Sequence, residues 1–386
     1  MMLVSTLLIL AVMPGMAYLL LLTLASLRRL PSVAGIVPMA GRLAIIVPAH
    51  DEAMSIAPTL ENLSALAGAD GDAELVVVAD NCTDDTAVIA RAHGARVLER
   101  HDPNLRGKGY ALDFAFRSLA GDGFAAYLII DADTLAEAGL LATVRRHFAA
   151  GADVVQVRYT VLNATQSPGT RLAELALSAF NCLRPHGRTA LGCSAGILGN
   201  GFALRSRVIE QVPYAASSVV EDLEYHLHLL DRGLRVVFAD ETAVRGEMPV
   251  SAAAQQTQRA RWEGGRLRML ITHGPVLLRK IWAGQGRFIE PLFELLLPPL
   301  AYQSLLLCLL LAWPSSATRL CGVIGMAILG LHVLIAARIA GLSMTQLAGI
   351  IAHVPCYLFW KLSLLKKIVR AAHHSAHWIR TGRNPS

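Results

Sequence analysis

Asp131-Ala132-Asp133 places two carboxylates two residues apart, directly after the apolar run 127–130. In extended backbone, residues i and i+2 point to the same side, so the two acids can converge with small Ala132 between them. Paired hard oxygen ligands suit Mg²⁺ or Mn²⁺, and such a cation suits a diphosphate. Alone the motif is weak, because a strand end with two solvated acids reads the same way. Two other short apolar runs also end in acids. Pro48-Ala49-His50-Asp51-Glu52 closes one, and Asp80-Asn81-Cys82-Thr83-Asp84-Asp85-Thr86 follows the other. Acids in such loops can accept hydrogen bonds from a base and a ribose. Asp84 and Asp85 equally suit the start of the next helix as N-caps, whereas Asp80, with its apolar run just before it, does not.

Further along, Arg106-Gly107-Lys108-Gly109 opens a helical window. Glycines let a backbone approach closely, a helix N-terminus favours anions, and Lys108 adds a point charge for part of a nucleotide. Glu221-Asp222 begins another helix after Ser217-Ser218. A carboxylate there can take a proton from an acceptor hydroxyl, or simply complement the helix dipole. Gln258-Arg259-Ala260-Arg261-Trp262 gathers an amide, guanidinium groups and an indole. Arg261 suits a phosphate and Trp262 a sugar face, although a Trp beside arginines can also anchor a membrane interface.

These residues need a scaffold that brings distant loops to one rim. From residue 43 the chain alternates short β-rich runs (43–48, 74–79, 95–99, 127–130, 153–159) with helical windows (55–67, 84–93, 107–119, 137–149). Such alternation means βαβ units and an α/β domain with a mostly parallel sheet. Ligands bind at the carboxyl ends of strands in such sheets. Beyond Arg158 the alternation stops. Helices are expected over 167–183, 221–231 and 251–262, and a strand over 235–239.

The chain has 386 residues, 54% of them hydrophobic, a formal net charge of +6 and a mean hydropathy of +0.46. That is too apolar for an ordinary soluble protein and points to membrane segments. Residues 1–30 read as an N-terminal transmembrane helix, with no basic n-region to make it a signal peptide. Arg28-Arg29 then puts the following domain, 41–275, in the cytoplasm by the positive-inside rule. Two spans are expected within 288–340, at 292–313 with a kink at Pro298-Pro299 and at 320–337. The last segment, 345–386, reads as an interfacial or re-entrant helix, or a fourth span, with a basic cytosolic tail. The six cysteines contain no Cys-x-x-Cys and fit a reducing compartment. The positive charge belongs with membrane topology and anionic lipid, and no motif supports nucleic-acid binding.

Taken in order, the Asp80 loop, Asp131-Ala132-Asp133, Glu221-Asp222 and Gln258-x-x-Arg261-Trp262 resemble the membrane-bound family 2 glycosyltransferases, the cellulose-synthase-like group. Pro48 to Glu52, Arg106 to Gly109 and Trp378-Ile379-Arg380-Thr381-Gly382-Arg383 add to the match. The resemblance covers nearly the whole chain. It implies a GT-A domain, a nucleotide-sugar donor such as a UDP-sugar, Mg²⁺ or Mn²⁺, and inversion at the anomeric carbon. By the same resemblance Pro48, His50, Glu52, Asp80, Lys108, Asp131 and Arg261 would bind the donor, and Asp133 the metal. Asp222, with Glu221 as the next candidate, would be the general base. Gly199, Asn200, Gly201, Gln258 and Trp262 would serve the acceptor. The family usually carries Asn where this chain has Asp51. The expected location is the inner membrane, and the expected acceptor a lipid or glycolipid. The rivals are a processive polysaccharide synthase, for which so few spans require a partner subunit to line a pore, and a non-catalytic membrane scaffold.

Overall fold

The computed structural model describes residues 2–215, 218 and 220–373, in two compact units. One unit, residues 30–170 and 194–258, is built on a sheet. Its strands are β1 (Leu43–Ala49), β2 (Ala73–Asp80), β3 (Arg96–Arg100), β4 (Ala126–Ile129), β5 (Thr134–Ala136), β6 (Val154–Val161), β7 (Phe202–Arg205) and β8 (Val236–Gly246). They lie in the order β3-β2-β1-β4-β7-β6-β8-β5. The pairs β1·β2, β1·β4, β2·β3 and β6·β8 are parallel, while β4·β7, β6·β7 and β5·β8 are antiparallel. The fold is therefore α/β with a mostly parallel sheet. The short antiparallel strands β5 and β7 were outside the sequence expectation, and β8 runs on to Gly246 rather than ending at 239.

Both faces of the sheet are covered, which explains why its central strands are apolar at nearly every position. Leu43, Ile45 and Val47 of β1 pack on one side with Leu128 of β4, Leu60 and Phe148. Ala44 and Ile46 pack on the other with Tyr127, Leu112, Phe116 and Tyr225. The first layer draws on the helices Ile56–Asp70 and Leu140–Ala149, and the second on Lys108–Ser118 and Glu221–Asp231.

The second unit, residues 2–29, 171–193 and 259–373 among those described, is helical. Its helices are labelled α1 (Met2–Ala25), α2 (Arg184–Ala190), α3 (Ala252–Trp282, which starts in the sheet unit), α4 (Ile289–Leu296), α5 (Leu300–Ala312), α6 (Ser316–Ile339) and α7 (Met344–Ala371). A helix Pro168–Leu177 passes through a π-helical stretch, Ser178–Leu183, into α2, so helix continues well past residue 183. By length and composition α1, α6 and α7 can each cross a membrane. A 24-residue helix spans about 36 Å against a hydrocarbon core of about 30 Å. The expected kinked span at 292–313 is instead a broken pair, Gly286–Leu296 and Leu300–Ala312, bent by 76°. Pro298 and Pro299 cannot donate backbone hydrogen bonds and bar the preceding residue from helix, so the ladder ends there. α7 is one uninterrupted helix despite Pro355.

A buried ionic network ties this unit together. Glu294 of α4 meets Arg184 at 3.2 Å and Arg188 at 2.7 Å, both from α2, and Arg266 of α3 at 3.1 Å. Glu290 meets Arg188 at 2.7 Å, and Tyr18 of α1 donates to Glu290 at 2.6 Å. Four helices thus share one set of largely buried charges. Removing one partner would leave the others buried and unbalanced, at a cost of about 3–5 kcal/mol. Glu294→Ala is therefore expected to lower the thermal unfolding midpoint by clearly more than Glu290→Ala, measured on purified protein in detergent. Equal midpoints for wild type and Glu294→Ala would contradict this account.

Candidate functional site

β1 is flanked by β2 on one side and β4 on the other, so successive connections leave it in opposite directions. That makes the gap beyond the carboxyl ends of β1 and β4 the topological switch point of the sheet, the place where α/β proteins bind ligands. Pro48 marks it. The parallel ladder between β1 and β4 ends at the Ile46–Ile129 register, and Ile46 accepts from Ile130 at 3.0 Å. Pro48, two residues on, faces the same way where β4 has already departed, so its missing N–H costs no ladder bond.

The loops after β1 and β2 lock together. Asp51 has φ +53° and Asn81 φ +51°, a left-handed conformation that Asp and Asn tolerate better than most residues. His50 donates from Nδ1 to the Asp80 carbonyl at 2.7 Å. Asp51 accepts from the Thr83 N–H at 2.6 Å, and Asp84 accepts from the Thr86 N–H and hydroxyl at 3.0 and 2.5 Å. Of the two expected caps, Asp84 makes the bonds and Asp85 makes no capping bond. Glu52 is buried, its N–H given to the Thr86 hydroxyl at 2.8 Å and its carboxylate bonded by the Ser55 hydroxyl at 2.7 Å. Carboxylate oxygens of Asp51 and Asp84 and the Cys82 sulfur lie within 4.8 Å of one another. Burial pushes the Cys82 thiol up, which keeps it protonated and a poor ligand for a hard cation. Asp80 is 5% exposed, and Arg100 holds its Oδ1 at 2.6 Å. Arg100 escaped the sequence reading because it is one basic residue at the end of a short, polar edge strand.

On the β4 side the extended backbone expected through Asp131 and Asp133 is absent. The strand ends at Ile129, and Ala132 and Asp133 occupy a turn leading into β5. Asp131 is instead paired with Lys108, whose ammonium also donates to the Gly199 carbonyl. Lys108 is thus committed to protein groups on both sides. Asp133 is half-buried, at the entrance to β5. Asn200 is fully buried, accepting from the Asp131 N–H at 3.1 Å and donating to Thr134 at 2.8 Å. Gly201 is buried too, and a Cβ there would lie 2.6 Å from Val244. These two residues brace the site from beneath, which corrects the expectation that they touch an acceptor. Gly199, half-buried at φ +80°, lies beside Asp222, since a Cβ on it would be 3.2 Å from that carboxylate. Gln156 completes the brace, donating to the Asn200 carbonyl at 2.7 Å and accepting from the Leu198 N–H at 2.9 Å. Its signal in the sequence is a lone amide inside Val154-Val155-Gln156-Val157.

Glu221 and Asp222 begin their helix beside these groups. Burial, then the neighbouring Asp222, push Glu221 up to about 8 against the pull of Lys108. Burial likewise raises Asp222, whose Oδ1 accepts from the Leu223 N–H at 2.8 Å. Burial disfavours the Lys108 charge, but Asp131 and Glu221 outweigh it and hold the ammonium above its ordinary value. Three acids and one cation therefore share a partly enclosed space, with one carboxylate poised to carry a proton near neutral pH.

Gln258, Arg261 and Trp262 all lie on α3, where the Arg259 guanidinium sits 6.0 Å from the Trp262 ring. Gln258 falls in the sheet unit, and Arg261 and Trp262 in the helical unit. Ser217 and the stretch Trp378 to Arg383 lie outside the described residues.

Residues 40–265 match the family described as glycosyltransferase like family 2. A β-monoglucosyldiacylglycerol synthase of Nostoc sp. is 26% identical over 353 residues, 87% of this chain and 71% of that protein. A probable glycosyltransferase of Bacillus subtilis is 27% identical over 58% of this chain, and the match spans 55% of its length. The solved mannosyltransferase of Pyrobaculum calidifontis, in complex with GDP-mannose and Mn²⁺, shares the fold with a TM-score of 0.54 at 16% identity. That alignment covers 95% of this chain and 96% of the other.

The shifted Glu221 has a consequence for stability. Its native form retains a proton between the ordinary value of 4.5 and about 8, where the unfolded chain has lost it. Stability must then fall as pH rises through that window. Glu221→Gln is expected to flatten the decline of the thermal midpoint between pH 5 and pH 8. Parallel curves for variant and wild type would show that Glu221 titrates normally.

Proposed function

The chain belongs to glycosyltransferase family 2, and on that premise we propose that it transfers a sugar, with inversion, from a nucleotide-sugar donor to a lipid acceptor at a membrane. The observation that carries the lipid reading is the match over 87% of the chain to a β-monoglucosyldiacylglycerol synthase, which extends beyond the residues of the family domain. Helices long and apolar enough to cross a membrane, on both sides of the domain in sequence, support it.

In this reading the donor lies over the carboxyl ends of β1, β2 and β4. Asp80, held by Arg100, and the loop of Pro48, His50 and Glu52 shape the nucleoside end. Asp131 and Lys108 line the sugar end, and the family resemblance gives Arg261 the diphosphate, a group that guanidinium binds well. A divalent cation fits the donor set, since Asp131, Asp133, Glu221 and Asp222 supply only hard oxygens and outnumber Lys108. Asp133 would hold it, and when bound it would neutralise charge on the departing diphosphate. The acceptor hydroxyl oxygen forms its bond to the anomeric carbon as the bond from that carbon to the diphosphate oxygen breaks. The hydroxyl proton goes to Asp222, and the nucleoside diphosphate leaves. Opposite-face attack inverts the anomeric centre. Gly199, with no side chain to block Asp222, leaves room for the acceptor, and the family resemblance assigns Gln258 and Trp262 of α3 to the acceptor as well.

Asp222→Asn keeps the shape and loses the basicity, so turnover is expected to drop about 10²-fold or more with donor affinity near normal. Activity within a few-fold of wild type would move the base to another residue.

The substrate assignment is tested with purified protein, a panel of UDP- and GDP-sugars, Mg²⁺ or Mn²⁺, and a membrane lipid extract. Products are read by thin-layer chromatography and mass spectrometry. A single-sugar lipid that disappears with chelator is the expected result. A ladder of lipid-free sugar chains would favour a processive synthase instead.

A further inference from the structure

α7 carries a lysine in the middle of an apolar helix. Lys361 is 1% exposed and forms an ion pair with Glu263 of α3. Its ammonium lies 5.6 Å from the Tyr302 ring and 5.9 Å from the Tyr357 ring, and the Tyr302 hydroxyl donates to the Lys361 carbonyl at 3.3 Å. Lys361 therefore does not reach a lipid headgroup. Lys366 and Lys367 are the exposed ones.

The contact is wider than one ion pair. A Cβ on Gly264 would lie 2.6 Å from the Ala371 Cβ and 2.9 Å from the Ile368 carbonyl oxygen, so α3 and α7 cross there at backbone contact. Ala260 packs on Leu364 and Ile368. Lys361, Leu364, Ile368 and Ala371 follow helical spacing and form one face of α7. Ala260, Glu263 and Gly264 likewise form one face of α3. Arg261 and Trp262 stand roughly 100° and 200° around the helix from Ala260, so both point away from α7. The two residues assigned to diphosphate and acceptor are thus bracketed, before and after in sequence, by residues fastened to α7.

We propose that Glu263 and Lys361 are positioning residues for the reaction, fixing the rotation and axial register of α3 so that Arg261 and Trp262 are presented correctly. This rests on the role given above to Arg261. An ion pair is suited to the task because it is directional. Apolar packing at Ala260 and Gly264 would tolerate sliding, whereas a buried ammonium must find its carboxylate. Misplacement by about 1 Å can cost 10²-fold in rate, so a loosened clasp should be visible in kinetics before the fold is lost.

The test uses the full chain in detergent, with UDP·Mn²⁺ and GDP·Mn²⁺ as probes in calorimetry and with turnover of the donor that wild type accepts. Lys361→Met and Glu263→Gln are expected to weaken diphosphate binding and slow turnover by about tenfold to a hundredfold per folded molecule. The Glu263→Lys, Lys361→Glu exchange and Lys361→Arg should restore most of the loss. Gly264→Leu, which keeps both charges but parts the helices, should reproduce the defect. If the single variants misfold, Gly264→Ala decides instead, because its Cβ would lie 2.6 Å from the Ala371 Cβ and must shift the crossing with both charges kept: slowed turnover in folded protein supports the clasp, and kinetics within twofold of wild type would overturn it. Folded single variants with a lowered melting point but kinetics within twofold of wild type would overturn the proposal, leaving a merely structural pair. Arg261→Ala separates the two levels. If it leaves diphosphate binding unchanged, the role of Arg261 fails and the proposal with it. If it weakens binding while Lys361→Met does not, only the clasp fails. Wild-type protein that binds neither diphosphate would overturn both.

Discussion

Three carboxylates, those of Asp131, Glu221 and Asp222, gather around the single ammonium of Lys108. Like charges in a partly enclosed space repel more strongly than in open water, because solvent screens them less. The raised Glu221 and Asp222 are the direct result. Such crowding persists only if the backbone is held from below, and much of the sheet unit near the site serves that end. Asn200 fixes the Asp131 N–H, Gln156 fixes the Asn200 carbonyl, and the short antiparallel strand β7 joins β4 to β6 beneath them. The acids are stored in a geometry they would not adopt as free side chains. That is the condition under which fixed charges assist a reaction without first having to reorganise.

The two sides of the site obey different rules. On the β1–β2 side, charges are consumed in closing loops. Asp51 and Asp84 accept from N–H groups of the facing loop, and Glu52 gives its N–H to the Thr86 hydroxyl there while its carboxylate accepts from Ser55 in its own loop. The Asp51 position explains itself on this basis. Its φ of +53° admits Asn or Asp, and either side-chain oxygen can accept from the Thr83 N–H. The departure from the usual Asn therefore preserves the loop and changes only its charge. On the β4 side, the charges face one another instead, and the fold supplies a lysine to hold them.

Much of this was legible in the sequence because strong local signals agreed with the global fold. Apolar runs ending in acids located β1, β2 and β4, and helical spacing located the helix that carries Glu221 and Asp222. What was not legible has a common physical cause. The strands β5 and β7 are three and four residues long, too short to show a period. The turn at Ala132-Asp133 is set by pairing with β8, a partner about a hundred residues away. Asn200 and Gly201 have the small, polar character of a ligand loop, yet that same character lets them lie buried against β4 and β6. Arg100 and Gln156 act through partners at a distance, and no local pattern marks them.

The helical unit shows how charge in an apolar segment should be read. Lys361 and Lys366 are five residues apart on one helix, and sequence alone treats them alike. Their burial differs because five residues is about 140° past a full turn, enough to move a side chain from one face to another. Lys361 shares its face with Leu364 and Ile368, and that face meets α3. A lysine there without a carboxylate opposite would carry an uncompensated charge in the interior, so Glu263 and Lys361 each account for the other. The same reasoning applies to Arg184, Arg188 and Arg266, which are tolerable inside the unit only because Glu290 and Glu294 arrive on the half-helix that Pro298 and Pro299 bring to an end. In this unit the placement of ionic partners helps to set the rotation of α2, α3, α4 and α7, while α5 and α6 are placed by apolar packing. Apolar surfaces of similar shape can slide past one another, and paired buried charges cannot.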